Sequence, residues 1–311
     1  MRNRELIGPD VFAVVGVPNM SKLALGTVQF GLAYGVANRA GQVSREEAGQ
    51  ILQLARSAGI DTLDTAIAYG KSEQVLGEQG IDGFKIVTKL PGVPDGIAHL
   101  EDWVEDQVVA SQRRLGMSSI YALLLHRSED LLGANGSRLT RALEQLKARG
   151  WVEKVGVSIY DPSELDSVTQ VMSLDLVQAP LNLLDRRLEV SGWLRRLDDQ
   201  GVEIHTRSAF LQGLLLMPCS EIPQKFERWS FLWDTWHSTL ADLNTTATAA
   251  CLSYPLSLPE VDRVVVGVDN MRQLNQIIQA SLEGTQEIYQ AFTSLRCDDL
   301  RLINPSNWSK L

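Results

Sequence analysis

Much that would assign a function at once is scarce or missing in this chain of 311 residues. Three cysteines, Cys219, Cys251 and Cys297, form no CxxC pair, and their odd number and wide spacing frame no disulfide scaffold. A reducing compartment, the cytoplasm, is the expectation. Basic residues are outnumbered, 29 Lys and Arg against 38 Asp and Glu, for a formal charge of −9. That balance speaks against a nucleic-acid binder or a polybasic membrane anchor. No run approaches the roughly 18 apolar residues of a membrane-spanning helix. There is no GxGxxG after a first strand, no GxxxxGK(S/T) phosphate loop, no HExxH and no GxSxG. The histidines, His99, His126, His205 and His237, are too dispersed to read as a metal cluster. Rossmann dehydrogenase, P-loop nucleotidase, metallohydrolase and serine hydrolase all lose ground.

What is present is an alternation. Short β-branched or apolar runs read as strands at Lys22–Leu25, Thr62–Asp64, Lys85–Thr88, Ile120–Leu125, Val152–Val157, Leu174–Gln178, Glu203–Thr206 and Arg263–Val266. Helical spacing lies between them, at Ser44–Ala58, Leu100–Gly116, Ser137–Gly150, Pro162–Val171, Leu188–Gly201 and Met271–Leu282. Ser44 is placed as an N-cap with Glu47 three residues on, and Gly59 follows the helix. Eight such units in about 290 residues, roughly 36 each, match the repeat of a closed (β/α)8 TIM barrel better than an open doubly wound sheet. Continuously apolar strands such as IYALLL fit a parallel sheet covered on both faces. Residues 20–311 are therefore read as a single barrel domain of the α/β class. Met1–Pro18 holds a short apolar stretch, Val11–Val17, but also Glu5 and Asp10, and makes a poor signal segment. Residues 1–19 are read as an N-terminal extension, disordered or a product of start-site choice. The stretch 214–260 has no clear strand.

Polar residues interrupt the apolar strands at their carboxyl ends, where barrels gather their chemistry. Asp64 closes the second strand, Tyr69 follows on its loop, Lys89 closes the third and His126 the fourth. Taken singly, each has a plain structural reading: a helix cap, a loop aromatic, a snorkelling lysine, a core histidine. Together they support proton transfer to a carbonyl oxygen. A phenol with an ordinary pKa of about 10 is a poor acid near neutrality. A nearby ammonium lowers that value, a carboxylate holds the ammonium charged, and an imidazole polarises the carbonyl. No side chain donates hydride, so the set points to a nicotinamide cofactor.

At these residues the chain resembles the aldo-keto reductase family, over nearly all of residues 22–282. LALGTVQFG is similar to the family's first strand and turn, DTLDTAIAYGKSEQVLGE to the signature around its catalytic Asp and Tyr, KIVTKL to its lysine strand, and SQRRLGMSSIYALLLH to the unit ending at its histidine. TRSAFLQGLLL and VVVGVDNMRQLNQII resemble the seventh and eighth units. The resemblance implies a catalytic tetrad of Asp64, Tyr69, Lys89 and His126. It implies that Ser158 and Gln178 hold the nicotinamide carboxamide and that Gly26 and Thr27 line the nicotinamide side. Ser208, Phe210, Gln212 and Gly213 would approach the pyrophosphate. Gly267, Asp269, Asn270, Arg272, Gln273 and Gln276 would wrap the adenosine end, with free N–H groups at the helix start for a phosphate. The implied cofactor is NADPH or NADH.

The chain departs from the family pattern in three places. Ile159 stands where an Asn is usual after the carboxamide Ser. Arg207 stands where an aromatic ring often stacks on the nicotinamide; its guanidinium can stack or contact a phosphate. Asp269 stands where NADPH-selective members place basic residues, with Arg272 the nearby cation. The expected activity is NAD(P)H-dependent reduction of a small aldehyde or ketone, a sugar derivative included, with Tyr69 as general acid. Two alternatives remain: a cofactor-binding regulatory or interaction protein on the same barrel, and a lyase or isomerase using Lys89 as a Schiff-base amine. No nucleic-acid or membrane partner is expected. Tyr34, the segment Trp229–Trp236 and Trp308 are candidate pocket aromatics, though such residues more often pack than touch substrate. The substrate, the oligomeric state and the choice between NADPH and NADH are not legible.

Overall fold

The computed structural model describes residues 22–283 and 286–311, so the expected extension at 1–19 lies outside the described residues. All eight expected strands form. They are β1 (Leu23–Gly26), β2 (Thr62–Asp64), β3 (Lys85–Leu90), β4 (Ile120–Leu125), β5 (Val152–Ser158), β6 (Leu176–Pro180), β7 (Glu203–Arg207) and β8 (Arg263–Gly267). They run parallel in chain order, and β8 pairs back onto β1 from Leu23 opposite Val264 to Gly26 opposite Gly267, closing the barrel. Several strands end one or two residues later than expected, the ladder continuing through Gly26, Lys89, Ser158, Arg207 and Gly267, which the apolar pattern does not mark.

Helices alternate with the strands and pack around them. Ser44 Oγ accepts the Glu47 N–H at 3.1 Å and starts Arg45–Ser57. The Glu47 carboxylate does not close the capping box. It crosses to Met271 and accepts that backbone N–H at 2.5 Å. Ser72–Gln79 follows β2 and is pinned by Glu73, a buried carboxylate that accepts from Thr88 Oγ1, Ser111 Oγ and Arg114 Nε, each at 2.7 Å. The expected helix Leu188–Gly201 is instead two, Arg187–Val190 and Trp193–Asp199, parted at Gly192 with φ +78. The expected Pro162–Val171 shortens to Glu164–Val168.

The stretch 214–260 supplies 3-10 turns and two helices, Ser230–Asp242 and Ala247–Ser257. Its tryptophans belong to the packing. Trp233 and Trp236 are buried, with indole N–H groups donating to Phe226 O and Leu215 O. Trp308 is buried edge-on against Phe226. No helix among the described residues is long and apolar enough to cross a membrane.

Candidate active site

Alternation along the strands decides which side chains reach the barrel axis. Leu63, Ile86, Leu123, Val157, Val177 and Ile204 belong to the large core between sheet and helices. Val87, Ala122, Leu124 and Leu176 form a separate small cluster on the opposite face, inside the barrel. Counting by twos from these residues puts Asp64, Lys89, His126, Ser158, Gln178 and Arg207 on the inward face at the carboxyl ends of β2 to β7.

Lys89 lies at the floor of this mouth, 1% exposed. Its Nζ donates to Asp64 Oδ1 at 2.7 Å, to Asp64 Oδ2 at 2.8 Å and to the Thr65 carbonyl at 2.9 Å. Three acceptors use all three protons of an ammonium. Burial pulls its pKa below the ordinary lysine value, and the Asp64 carboxylate opposes that pull. Asp64 also accepts from Gln178 Nε2 at 2.6 Å, and Gln178 Oε1 in turn accepts from Ser158 Oγ at 3.4 Å. Asp64, Gln178 and Ser158 are thus one hydrogen-bonded chain that joins the expected tetrad to the expected carboxamide holders.

Tyr69 stands above this pair. Its ring centroid lies 5.3 Å from Lys89 Nζ and 5.8 Å from the His126 ring, edge-on. Its loop is fixed from below. Ser72 Oγ donates to Thr27 O at 2.8 Å and meets Thr65 Oγ1 at 3.0 Å, while Thr27 Oγ1 donates to Asp64 O at 2.9 Å. One electrostatic expectation is corrected here. Burial first, and the Asp64 carboxylate second, raise the phenol above its ordinary value. Lys89 does not depress it, because its charge is already neutralised by Asp64 at contact distance. Tyr69 is therefore a fully protonated phenol at neutral pH.

Burial, reinforced by the positive charges of Lys89 and Arg207, lowers His126 from its ordinary 6.5 to about 4. The folded form holds the neutral imidazole, and the unfolded chain binds a proton that the folded one refuses. Stability contributed by this group is complete above about pH 6.5 and is lost as pH falls through about 4. The slope of folding stability between these values should flatten in His126→Gln. Urea melts at half-unit pH steps check this, and an unchanged slope would contradict the environment described.

A cleft of about 460 Å³ opens from this mouth toward β8 and the helix Met271–Glu283. Asp64, Tyr69 and His126 line it, as do Gly26, Thr27, Ser158, Gln178, Arg207, Ser208, Phe210, Gln212, Gly213, Gly267, Asp269, Gln273 and Gln276. Asn270 and Arg272 are not among its lining. The expected free N–H groups at the helix start are partly filled: Asn270 Oδ1 accepts from Gln273 N at 2.9 Å and Glu47 accepts from Met271 N. Ile159 is wholly buried in the outer core and offers no amide to the cleft.

The sequence reading passed over several lining residues. Gln29 is buried, and its Oε1 has no partner among the described residues. Asn38 Nδ2 donates to Asp269 Oδ1 at 2.9 Å and to Gly41 O at 3.0 Å. Tyr160 carries Arg207 over its ring at 4.5 Å. Asn38 with Gly41 is a local turn signal in the sequence; for Gln29 and Tyr160 there is none. Ala37 N–H reaches Gln212 O at 3.4 Å and Gln212 Nε2 reaches the Tyr34 hydroxyl at 3.0 Å, so the loop after β1 crosses to the loops after β7 and β8. Tyr34 is the one candidate aromatic that lines the cleft.

Several known proteins are similar to this chain. The chain is 30% identical over 290 residues to D-threo-aldose 1-dehydrogenase of Pseudomonas sp, covering 79% of this chain and 87% of that one. It is 27% identical over 217 residues to the NADH-specific methylglyoxal reductase of Escherichia coli (strain K12), covering 63% and 65%. The holo form of the aldo-keto reductase AKR11C1 from Bacillus halodurans superposes with a TM-score of 0.71 at 21% identity, covering 88% and 92%. The family model for the aldo/keto reductases matches residues 22–296. With that match across most of the barrel, the chain belongs to the aldo/keto reductase family and is an NAD(P)-dependent oxidoreductase.

Proposed function

We propose that this chain reduces small aldehydes or ketones, with Tyr69 as the proton donor and NADH as the preferred cofactor. The observation that carries the reading is the stack of Asp64, Lys89 and Tyr69 beside His126 at the inner end of one cleft. When bound, a reduced nicotinamide supplies the hydride. The Tyr69 O–H holds the proton that the carbonyl oxygen takes up. The neutral His126 imidazole offers an N–H to the same oxygen, and the Lys89–Asp64 pair holds the phenol ring in place from beneath. Lys89 donates all of its protons, so it has no lone pair for a Schiff base, which disfavours the lyase reading.

The residues along the cleft fit an extended dinucleotide. Gln29 Oε1 is a buried acceptor without a partner among the described residues, placed to take a hydroxyl or amide proton. A Cβ on Gly213 would meet Ala37 Cβ at 2.5 Å, and one on Gly267 would meet the Gln29 amide at 2.7 Å, so glycines keep these walls thin. Ser158 and Gln178 would hold the carboxamide. Gly26 and Thr27 would flank the ring, Ser208, Phe210, Gln212 and Gly213 the pyrophosphate, and Gln273 and Gln276 the adenosine end.

The preference for NADH follows from charge. Asp269 lines the outer cleft and Glu47 occupies the helix start, while Arg272 is exposed and outside the lining. The Asp269 carboxylate there repels a 2′-phosphate and can accept from a ribose hydroxyl, and Glu47 already fills a helix-start N–H that such a phosphate would use. The similar Escherichia coli protein is NADH-specific by name, which supports the same choice. Fluorescence quenching should give NADH an affinity at least about 10-fold above NADPH, and Asp269→Ser should narrow that gap. A tighter NADPH complex would reverse the assignment. The activity itself is tested by loss of reduced-cofactor absorbance across a panel of carbonyl compounds; no turnover of any of them would overturn the reading.

A further inference from the structure

Among the described residues, the mouth of the barrel holds one cation without a carboxylate partner. Lys89 is neutralised by Asp64, His126 is held neutral near pH 7, and burial keeps the Tyr34 and Tyr69 phenols protonated. Arg207 remains, half-buried at the end of β7. One of its terminal nitrogens donates to Ile159 O at 2.9 Å and the other to Ser208 Oγ at 3.3 Å, and its guanidinium lies over the Tyr160 ring at 4.5 Å. Among the described residues none of these partners is a carboxylate. Arg187, by contrast, forks onto Asp161 and Asp185. In a chain of net charge −9, a partly desolvated guanidinium left unpaired is a standing electrostatic penalty.

The backbone beside it is strained as well. Ser208, Leu211 and Gln212 have φ of 64, 46 and 53, in the left-handed region that side chains other than glycine seldom enter. An unpaired charge and a strained loop in one segment, facing one cleft, mark a place where binding compensates. The position narrows what binds. The Arg207 charge acts on Tyr34, Tyr69, Lys89 and His126 alike, so it sits around the reacting centre.

We propose that Arg207 is a seat for an oxyanion carried by the substrate, so that the carbonyl compounds this site takes best bear a carboxylate or phosphate near the C=O. The proposal rests on the carbonyl-reductase reading above. A planar guanidinium already braced on one face by Tyr160 presents its remaining N–H groups in a fixed fork, which suits a carboxylate or phosphate.

Two matched pairs test it: phenylglyoxylate against its methyl ester, and glyceraldehyde 3-phosphate against glyceraldehyde. The pair with the larger charged-to-neutral ratio of kcat/KM tells carboxylate from phosphate. That ratio should exceed one in the native protein and fall as salt is added. It should drop by about 10- to 100-fold in Arg207→Leu and by less in Arg207→Lys, which keeps the charge but loses the fork. NADH affinity by fluorescence quenching should move by less than about threefold in both variants. An unchanged ratio in Arg207→Leu overturns the proposal. So does an NADH affinity that falls as far as the anion's, which would make Arg207 a cofactor-phosphate ligand. If no member of either pair is turned over, the wider carbonyl panel decides the reductase reading. Calorimetric binding of phenylglyoxylate to the cofactor-loaded protein then decides separately: binding lost in Arg207→Leu keeps the anion seat, and no binding to the native protein removes it.

Discussion

Tyr69→Phe is expected to lower kcat for carbonyl reduction by about 100- to 10,000-fold, the usual worth of a positioned proton donor. The substitution removes one oxygen and leaves the ring that packs edge-on to His126 and over Lys89. Cofactor affinity and thermal stability should therefore change little, and the loss should appear in kcat. The raised pKa of the phenol adds a pH signature. Reduction needs the protonated form, so its rate should stay flat through neutral and mildly alkaline pH and fall only under strongly alkaline conditions. The reverse oxidation needs the phenolate and should rise with pH over the same range. Stopped-flow single turnovers in both directions read this, and a variant within about tenfold of native kcat would exclude Tyr69 as the donor.

Lys89→Met is expected to cost about 3–5 kcal/mol of stability and to abolish measurable turnover. The cost comes from Asp64, whose carboxylate would be left almost fully buried without its cation. The pair as a whole is worth far less than either half suggests. Lys89→Met combined with Asp64→Asn removes both charges, and Gln178 can still hydrogen-bond the amide that replaces the carboxylate. The double variant should regain most of the lost stability in urea melts and none of the activity. Stability that stays as low in the double variant as in the single one would show that the buried pair is not where the energy lies. Full activity in either would separate the pair from catalysis.

Legibility in the sequence followed the range of the interactions. Strands showed because each is a short β-branched or apolar run, and β2 and β4 have the bounds their residues predict. Helix ends marked by Gly59 and Gly116 showed because a left-handed residue is a local requirement, met at φ +77 and +70. The helix Ala247–Ser257 did not show: it is buried on nearly every side, has no polar stripe and contains Pro255. The inner site was legible because closing a barrel brings consecutive strand ends together, so Asp64, Lys89 and His126 needed only the strand count. The outer cleft was not. Asn38 meets Asp269 and Glu47 meets Met271 across more than 220 residues, and no local pattern announces such contacts. The Glu47 case shows the failure mode plainly. The S-x-x-E spacing predicts a closed capping box; the serine keeps its half, and the glutamate serves another helix.

The most direct test of the account is a crystal structure of the protein with NAD+ and an alcohol product in the mouth of the barrel. The account predicts nicotinamide lying along Ser158 and Gln178, with the oxygen of the bound molecule between the Tyr69 hydroxyl and the His126 ring. The reacting carbon should lie within roughly 3–3.5 Å of nicotinamide C4. A dinucleotide bound outside this cleft, or one whose nicotinamide faces away from Tyr69, would contradict it.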